Sequence, residues 1–269
     1  MSAHPRKHST PAGSLLICPD RASACQFAAQ HIASTIHEAR ASRGRTVLGL
    51  ATGSTPIQVY KKLIEQVQSG ELSLEATSTY NLDEYYPISP LDPQSYHAFM
   101  HQHLLAHAGL PPHQTHLLDG TVPEAFVADH CAEFERWIQA EGGLDLQLLG
   151  IGRNGHIGFN EPVDMSAEAA MKLPTRMVSL HPVTIDDAKG DFGGQAELVP
   201  KRALTMGIST ILAARSILIL AFGAAKAPAV ARAIEGPVSA SLPASLLQTV
   251  APRVTWLVDD AAAAELRSL

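Results

Sequence analysis

Apolar positions along this chain follow two alternating rhythms. Short runs, SLLIC (14–18), TVLGLA (46–51), TSTYNL (77–82), LDLQLLGIG (144–152), SILILAF (216–222) and VTWLV (254–258), read as strands. TVLGLA is continuously apolar, the pattern of a strand buried on both faces. Between these runs the apolar residues recur at helical spacing: Cys25, Ala28, Ala29, Ile32 and Ile36, then Ile57, Tyr60, Leu63, Ile64 and Val67, then Val127, Cys131, Phe134 and Ile138. Asp20 is placed to cap the first of these helices, and Ser95 to open another that carries Tyr96, Phe99, Met100 and Leu104. Further helices are predicted near 226–235, 243–249 and 260–267.

Strands alternating with helices imply parallel pairing through right-handed crossovers. The fold class is therefore α/β, a three-layer, doubly wound, mostly parallel sheet. Residues 14–269 read as a single domain, without internal repeat or linker, and residues 1–13 as a disordered tail. In such sheets ligands bind beyond the carboxyl ends of the strands, so the loops there are where chemistry is sought.

Composition narrows the partners. A net charge of −6 argues against a nucleic-acid or anionic-membrane partner, both of which favour a basic surface. No apolar stretch nears the ~18 residues of a membrane span. The first residues lack the apolar core of a signal peptide, and Cys18, Cys25 and Cys131 have neither disulfide nor zinc spacing. A cytoplasmic protein with buried thiols is the expectation, and neither metal nor cofactor is implied.

Four strand-end loops carry candidate chemistry. ATGSTP (51–56) turns from a buried strand into a helix, with Pro56 suited to the first helical position and Ser54 or Thr55 to the cap. Its amides near Gly53 would favour an anion. NLDEY (81–85) presents Asp83 and Glu84 to different sides, and Asp83, after apolar Leu82, is the better general base. LLGIGRNGHIGFNEP (148–162) spells the dinucleotide pattern GxGxxG, but Gly158 and Pro162 stand where a helix should run. What remains is a polar loop bringing Asn154, His156 and Glu161 together, with Glu161 able to hold the imidazole as a triad carboxylate does. In FGAAKA, Lys226 follows a strand and could meet a phosphate held near Gly53. This set suits proton transfer on a phosphorylated sugar.

The stretches LGLATGSTP, YNLDEYY with PQSYHAFM, DLQLLGIGRNGHIGFNEP, VPKRALTMGISTILAAR, FGAAKA and LPASLLQ resemble the glucosamine-6-phosphate deaminase (isomerase) family in their order along the chain. The resemblance implies the Rossmann-like fold shared with ribose-5-phosphate isomerase and 6-phosphogluconolactonase. It implies conversion of glucosamine 6-phosphate and water to fructose 6-phosphate and ammonia. It makes Asp83 the general base and His156, backed by Glu161, the ring-opening residue. Asn154 stands at a position that is aspartate or asparagine in the family, and Gly53, Ser54, Thr55 and Lys226 at its phosphate-binding positions. The segment 175–202, rich in Asp, Gly and Lys, reads as a lid. Family members often carry a lid arginine that reaches the phosphate; here Gly190 stands at that position, beside Lys189. The histidine some relatives have after PAS is also missing from LLQTV.

The alternatives are another amino-sugar phosphate such as galactosamine 6-phosphate, lactone hydrolysis as in 6-phosphogluconolactonase, and a non-catalytic sugar-phosphate sensor. Lactone hydrolysis has no need of a carbon-acid base, and a sensor has no need of Asp83, His156 and Glu161 together. The expected partner is a small amino-sugar phosphate. Oligomeric state varies within the family, so a homo-oligomer is compatible with the chain without being implied.

Overall fold

The computed structural model describes residues 5–267. The chain opens with an antiparallel hairpin, β1 (Arg6–Thr10) and β2 (Gly13–Cys18), with Arg6 opposite Ile17 and Thr10 opposite Gly13. This corrects the tail expected over residues 1–13. Residues 6–10 form an edge strand, while residues 1–4 lie outside the described residues. RKHST has no apolar rhythm to announce a strand; its order comes from backbone pairing and from Thr10, whose hydroxyl accepts from the Ala12 N–H and donates to the Gly13 carbonyl.

Asp20 caps α1 (Arg21–Arg43) by accepting from the Ser23 N–H. There follow β3 (Thr46–Leu50), α2 (Ile57–Gln68) and β4 (Thr77–Asn81). Pro56 occupies the cap of α2 without a side-chain bond, so neither Ser54 nor Thr55 serves there. After β5 (Asp83–Tyr86), Ser95 caps α3 (Tyr96–Met100) as expected, and one π-helical turn leads into α4 (Ala106–Ala108). Next come β6 (Thr115–His116), α5 (Val127–Ala140), β7 (Leu146–Gly150), α6 (Ala167–Ala170), β8 (Arg176–Ser179) and α7 (Pro182–Ala188). The chain ends through β9 (Arg202–Thr205), α8 (Ile208–Ala213), β10 (Ser216–Ala221), α9 (Ala227–Glu235) and β11 (Val254–Asp259).

Near the C-terminal end one helix expectation is met by a 3-10 helix and another is corrected. Pro243–Arg253 is 3-10 helical and broken at Val250, because Pro252 removes a donor from its interior. Residues 260–265 form turns in place of a helix, and the Asp259 carboxylate captures the Ala262 N–H there.

The large sheet runs β1-β2-β11-β10-β7-β3-β4-β6, parallel except for the β1 edge, with helices on both sides. This is the doubly wound architecture read from the sequence. Its central strands have no exposed side at all: Leu148, Leu218, Ile219 and Trp256 are fully buried. A second, antiparallel sheet runs β5-β9-β8. Leu82 joins the two sheets. Its N–H donates to the Leu50 carbonyl at the end of β3, and its carbonyl accepts from the Met206 N–H beyond β9. The residue after this junction is Asp83, which is thereby fixed where the sheets meet.

Candidate active site

The loops that follow β3, β4, β7 and β10 converge on one cavity of about 260 Å³ beyond the carboxyl ends of the strands. That is smaller than the roughly 300–1,000 Å³ of sites for drug-sized ligands, and suits a compact metabolite better than a dinucleotide. Gly53, Ser54, Thr55, Asp83, His156 and Lys226 all line it.

The glycine-rich loop after β7 serves His156. Gly152 accepts from the Gly155 N–H and donates to the His156 carbonyl, closing a tight reversal. A Cβ on Gly152 would lie 2.3 Å from Cε1 of His156, so the imidazole rests directly against glycine backbone. The chain then makes a short bridge between Ile157 and Asn160, with no helix, and the dinucleotide reading fails on this point.

Behind the imidazole stands Glu161, buried and 3.4 Å from Nδ1 of His156. The Glu161 carboxylate accepts from Asn154 Nδ2 at 2.9 Å and from the His181 N–H at 3.1 Å. Asn154 Oδ1 in turn accepts from the His156 N–H at 3.2 Å. Burial works to raise the carboxyl of Glu161, but His156, Thr184 and Asn154 together overcome it and hold the group down at about 2. With Nδ1 turned to Glu161, Nε2 is the ring nitrogen left for a ligand.

Asp83 has the opposite environment. Only 5% of it is exposed, and burial, reinforced by the charge of Glu84, pushes its carboxyl well above the usual range. Asp83 and Glu161 are thus driven apart, Glu161 kept ionised and Asp83 made more basic, the division by which carboxylates take separate roles.

At the other end of the cavity is the turn Gly53–Thr55. None of its three residues donates its backbone N–H to another described residue, while Arg21 binds the Ser54 carbonyl and fixes the turn. Lys226 is partly buried, and desolvation lowers its ammonium below the usual lysine range against the opposing charge of Asp187. Free amides beside a partly desolvated ammonium are an arrangement that favours an anion.

The comparisons with known proteins bear on this geometry. A glucosamine-6-phosphate deaminase of Rhodopirellula baltica is 46% identical over 250 residues, covering 93% of this chain and 94% of its own. The sequence profile described as glucosamine-6-phosphate isomerases/6-phosphogluconolactonase matches residues 19–172. The chain belongs to the glucosamine-6-phosphate isomerase/6-phosphogluconolactonase family. Within that family, a monomeric glucosamine-6-phosphate deaminase matches in structure with a TM-score of 0.85 at 39% identity, over 93% of this chain and 99% of that one. A 6-phosphogluconolactonase from Thermotoga maritima has the same fold, with a TM-score of 0.70 at 19% identity over 91% and 99% of the two chains.

Against the family's pattern, the structure brings the eight sequence-derived site residues to one place but divides them. Asn154 and Glu161 sit behind His156 and do not line the cavity; the other six do. Several neighbours escape a sequence reading. Thr184 on α7 places its hydroxyl 3.2 Å from Nδ1 of His156. Tyr85, Tyr96 and Phe159 form an aromatic wall, with the Tyr96 and Phe159 rings stacked at 5.8 Å. In the sequence Tyr96 shows as part of a helical apolar stripe and of the PQSYHAFM stretch, neither of which assigns it to the site.

The segment 175–202 contains β8, α7 and the loop before β9, and its Asp187 and Asp191 line the cavity. Gly190 is exposed there, and Lys189 pairs with Asp186 at 2.6 Å and does not line the cavity. This segment therefore contributes two carboxylates, Asp187 and Asp191, to the cavity lining. Arg153, in the β7 loop, binds both Asp186 and Asp187. Among the described residues no helix is long and apolar enough to cross a membrane.

Proposed function

We propose that this protein converts glucosamine 6-phosphate and water to fructose 6-phosphate and ammonia. The observation that carries the reading is the placement of a buried, basic Asp83 and the Glu161-backed His156 on the same cavity as the Gly53–Thr55 turn and Lys226. A sugar phosphate held by its ester at the amide turn extends its ring toward the two proton-transfer groups.

His156 moves a proton from the anomeric hydroxyl to the ring oxygen, breaking the C1–O5 bond and leaving an open-chain aldehyde. Glu161 stabilises the imidazolium that forms between the two transfers. The aldehyde acidifies the hydrogen on C2, and Asp83 removes it, giving a 1,2-enolamine. Asp83 returns the proton to C1, and the electron pair shifts to leave an iminium at C2. Water adds to that carbon, a proton passes to nitrogen, and the C–N bond breaks to release ammonia and the ketose. Each positioned proton transfer is worth about 10²–10⁴-fold. The segment 175–202 acts as the lid that keeps water from the aldehyde until it is needed. We infer that the reaction runs in the cytoplasm, on a small metabolite, with every site residue supplied by one chain.

The test is ammonium release from glucosamine 6-phosphate, with galactosamine 6-phosphate and 6-phosphogluconolactone offered separately. Ammonium from the gluco substrate is expected, with solvent deuterium appearing at C1 of the product. Preference for the galacto isomer, lactone hydrolysis without ammonium, or binding without turnover would each replace this reading.

A further inference from the structure

Glu84 is the most deeply buried acid near the cavity, at 1% exposure, yet it does not line it. Among the described residues no cation forms an ion pair with it. Its carboxylate accepts three backbone N–H groups instead: Tyr85 and Tyr96 at Oε1, 2.9 and 2.8 Å, and His97 at Oε2, 2.9 Å. A buried carboxylate satisfied only by neutral amides is costly, and an apolar side chain would hold a strand at less expense.

The three amides show what the arrangement accomplishes. Tyr85 and Tyr96 both line the cavity, and Asp83 precedes Glu84 on β5. Through one carboxylate the strand bearing the base is tied to the first turn of the helix bearing Tyr96. Resting on the deaminase reading above, we propose that Glu84 is a positioning residue for the reaction, locking Asp83 and Tyr96 into one unit through the backbone amides its carboxylate accepts.

The position has an electrostatic consequence. Glu84 is the charged neighbour of Asp83 on β5, while Tyr85 on the same strand, Tyr60 from α2 and Tyr96 from α3 sense the charge of Asp83 from their own sides. Glu84 itself is pushed up to about 7 by burial, against its three amide bonds, with Asp119 as a further like charge. An ionised Glu84 makes Asp83 a stronger base; removing the charge weakens it.

Two variants separate the roles. Glu84→Gln keeps the shape, removes the charge and turns one acceptor into a donor facing an amide. Its kcat for ammonium release is expected to fall roughly 10- to 100-fold with KM within about twofold, the size of effect that small misplacement of a reacting group produces. The acidic limb of its kcat/KM profile should move to lower pH, because Asp83 then ionises more readily. Glu84→Asp keeps the charge but shortens the reach, so kcat should fall while the acidic limb stays near its wild-type position. Wild-type kinetics and profile in both variants would overturn the proposal, and so would loss of the fold in both, which would assign Glu84 to stability alone. Absence of ammonium release by the wild-type protein is a separate outcome, and overturns the deaminase reading on which the proposal rests.

Discussion

A buried Glu161 pairs with the cavity-lining His156, carboxylate Oε2 to imidazole Nδ1, and the acid is pinned from three other directions by Asn154, Thr184 and the His181 amide. Because the carboxyl is held at about 2, Glu161 is ionised at neutral pH and stays so until the pH falls close to that value. Glu161→Gln removes the charge while keeping the shape. We expect kcat to fall by about 10²-fold or more, in line with loss of a group that supports general acid–base transfer. The loss should shrink for a substrate supplied already open-chain, which needs no ring opening. The same variant should flatten acid unfolding. A carboxylate whose folded value lies below its ordinary 4.5 stabilises the protein above that pH and loses the contribution as pH falls toward 2. Denaturation midpoints of the two proteins should therefore converge between pH 4.5 and 2.

Gly152→Ala tests the backing of the imidazole by glycine backbone. The new methyl would fall 2.3 to 2.5 Å from three atoms of the His156 ring, so the ring must swing away from its place. Overpacking of this kind costs about 1–3 kcal/mol of stability, which a protein of this size survives. The expected result is a folded protein, by thermal melt, with kcat reduced by about 10²-fold. Near-normal turnover would show that the ring is not held where the mechanism needs it.

How far this site can be read from sequence depends on the residue. Strand-end loops after continuous apolar runs are conspicuous, so the alternation of strands and helices by itself puts Asp83, His156 and Lys226 at one sheet edge. Glu84 cannot be given a partner in that way, because what it binds is backbone 12 and 13 residues onward, and amides leave no trace in side-chain pattern. Thr184 reaches His156 across 28 positions through the fold of the small sheet, which is announced by no periodicity. The β1 hairpin goes unannounced for a related reason: a polar edge strand is held by ladder bonds, and its composition matches that of a loose tail.

Arg153 is exposed, and its solvent-screened pairs with Asp186 and Asp187 contribute little to stability. Its effect should be on binding. Asp187 lines the cavity within electrostatic reach of Lys226, and without Arg153 its charge would oppose an incoming phosphate. Arg153→Ala is expected to raise KM for glucosamine 6-phosphate by roughly threefold to tenfold with little change in melting temperature. Adding Asp187→Asn should restore it. Failure of that restoration would mean Arg153 acts in some other way than by neutralising Asp187.

Lys226→Met separates anchoring from chemistry. A charged hydrogen bond to phosphate is worth about 1.5–3 kcal/mol, which corresponds to roughly 10- to 150-fold in KM or kcat/KM. The loss should be confined to phosphorylated substrate, with weak binding of free glucosamine unchanged. An equal loss for both sugars would place Lys226 outside the phosphate site.

Asp83→Asn addresses the base itself. Burial and the neighbouring Glu84 raise the wild-type carboxyl, so activity should climb with pH as that group ionises and fall away on the acid side. Asparagine cannot accept the C2 proton at any pH. The variant should therefore bind glucosamine 6-phosphate with near-normal affinity, release ammonium about 10²–10⁴-fold more slowly, and lose the acidic limb. Because His156 remains in place, anomer interconversion of the bound sugar should persist, and this can be followed by NMR in heavy water. Deuterium entering C2 of recovered substrate at the wild-type rate would mean that another group removes the proton. In that case the buried carboxylate at the junction of the two sheets would have to serve binding or structure.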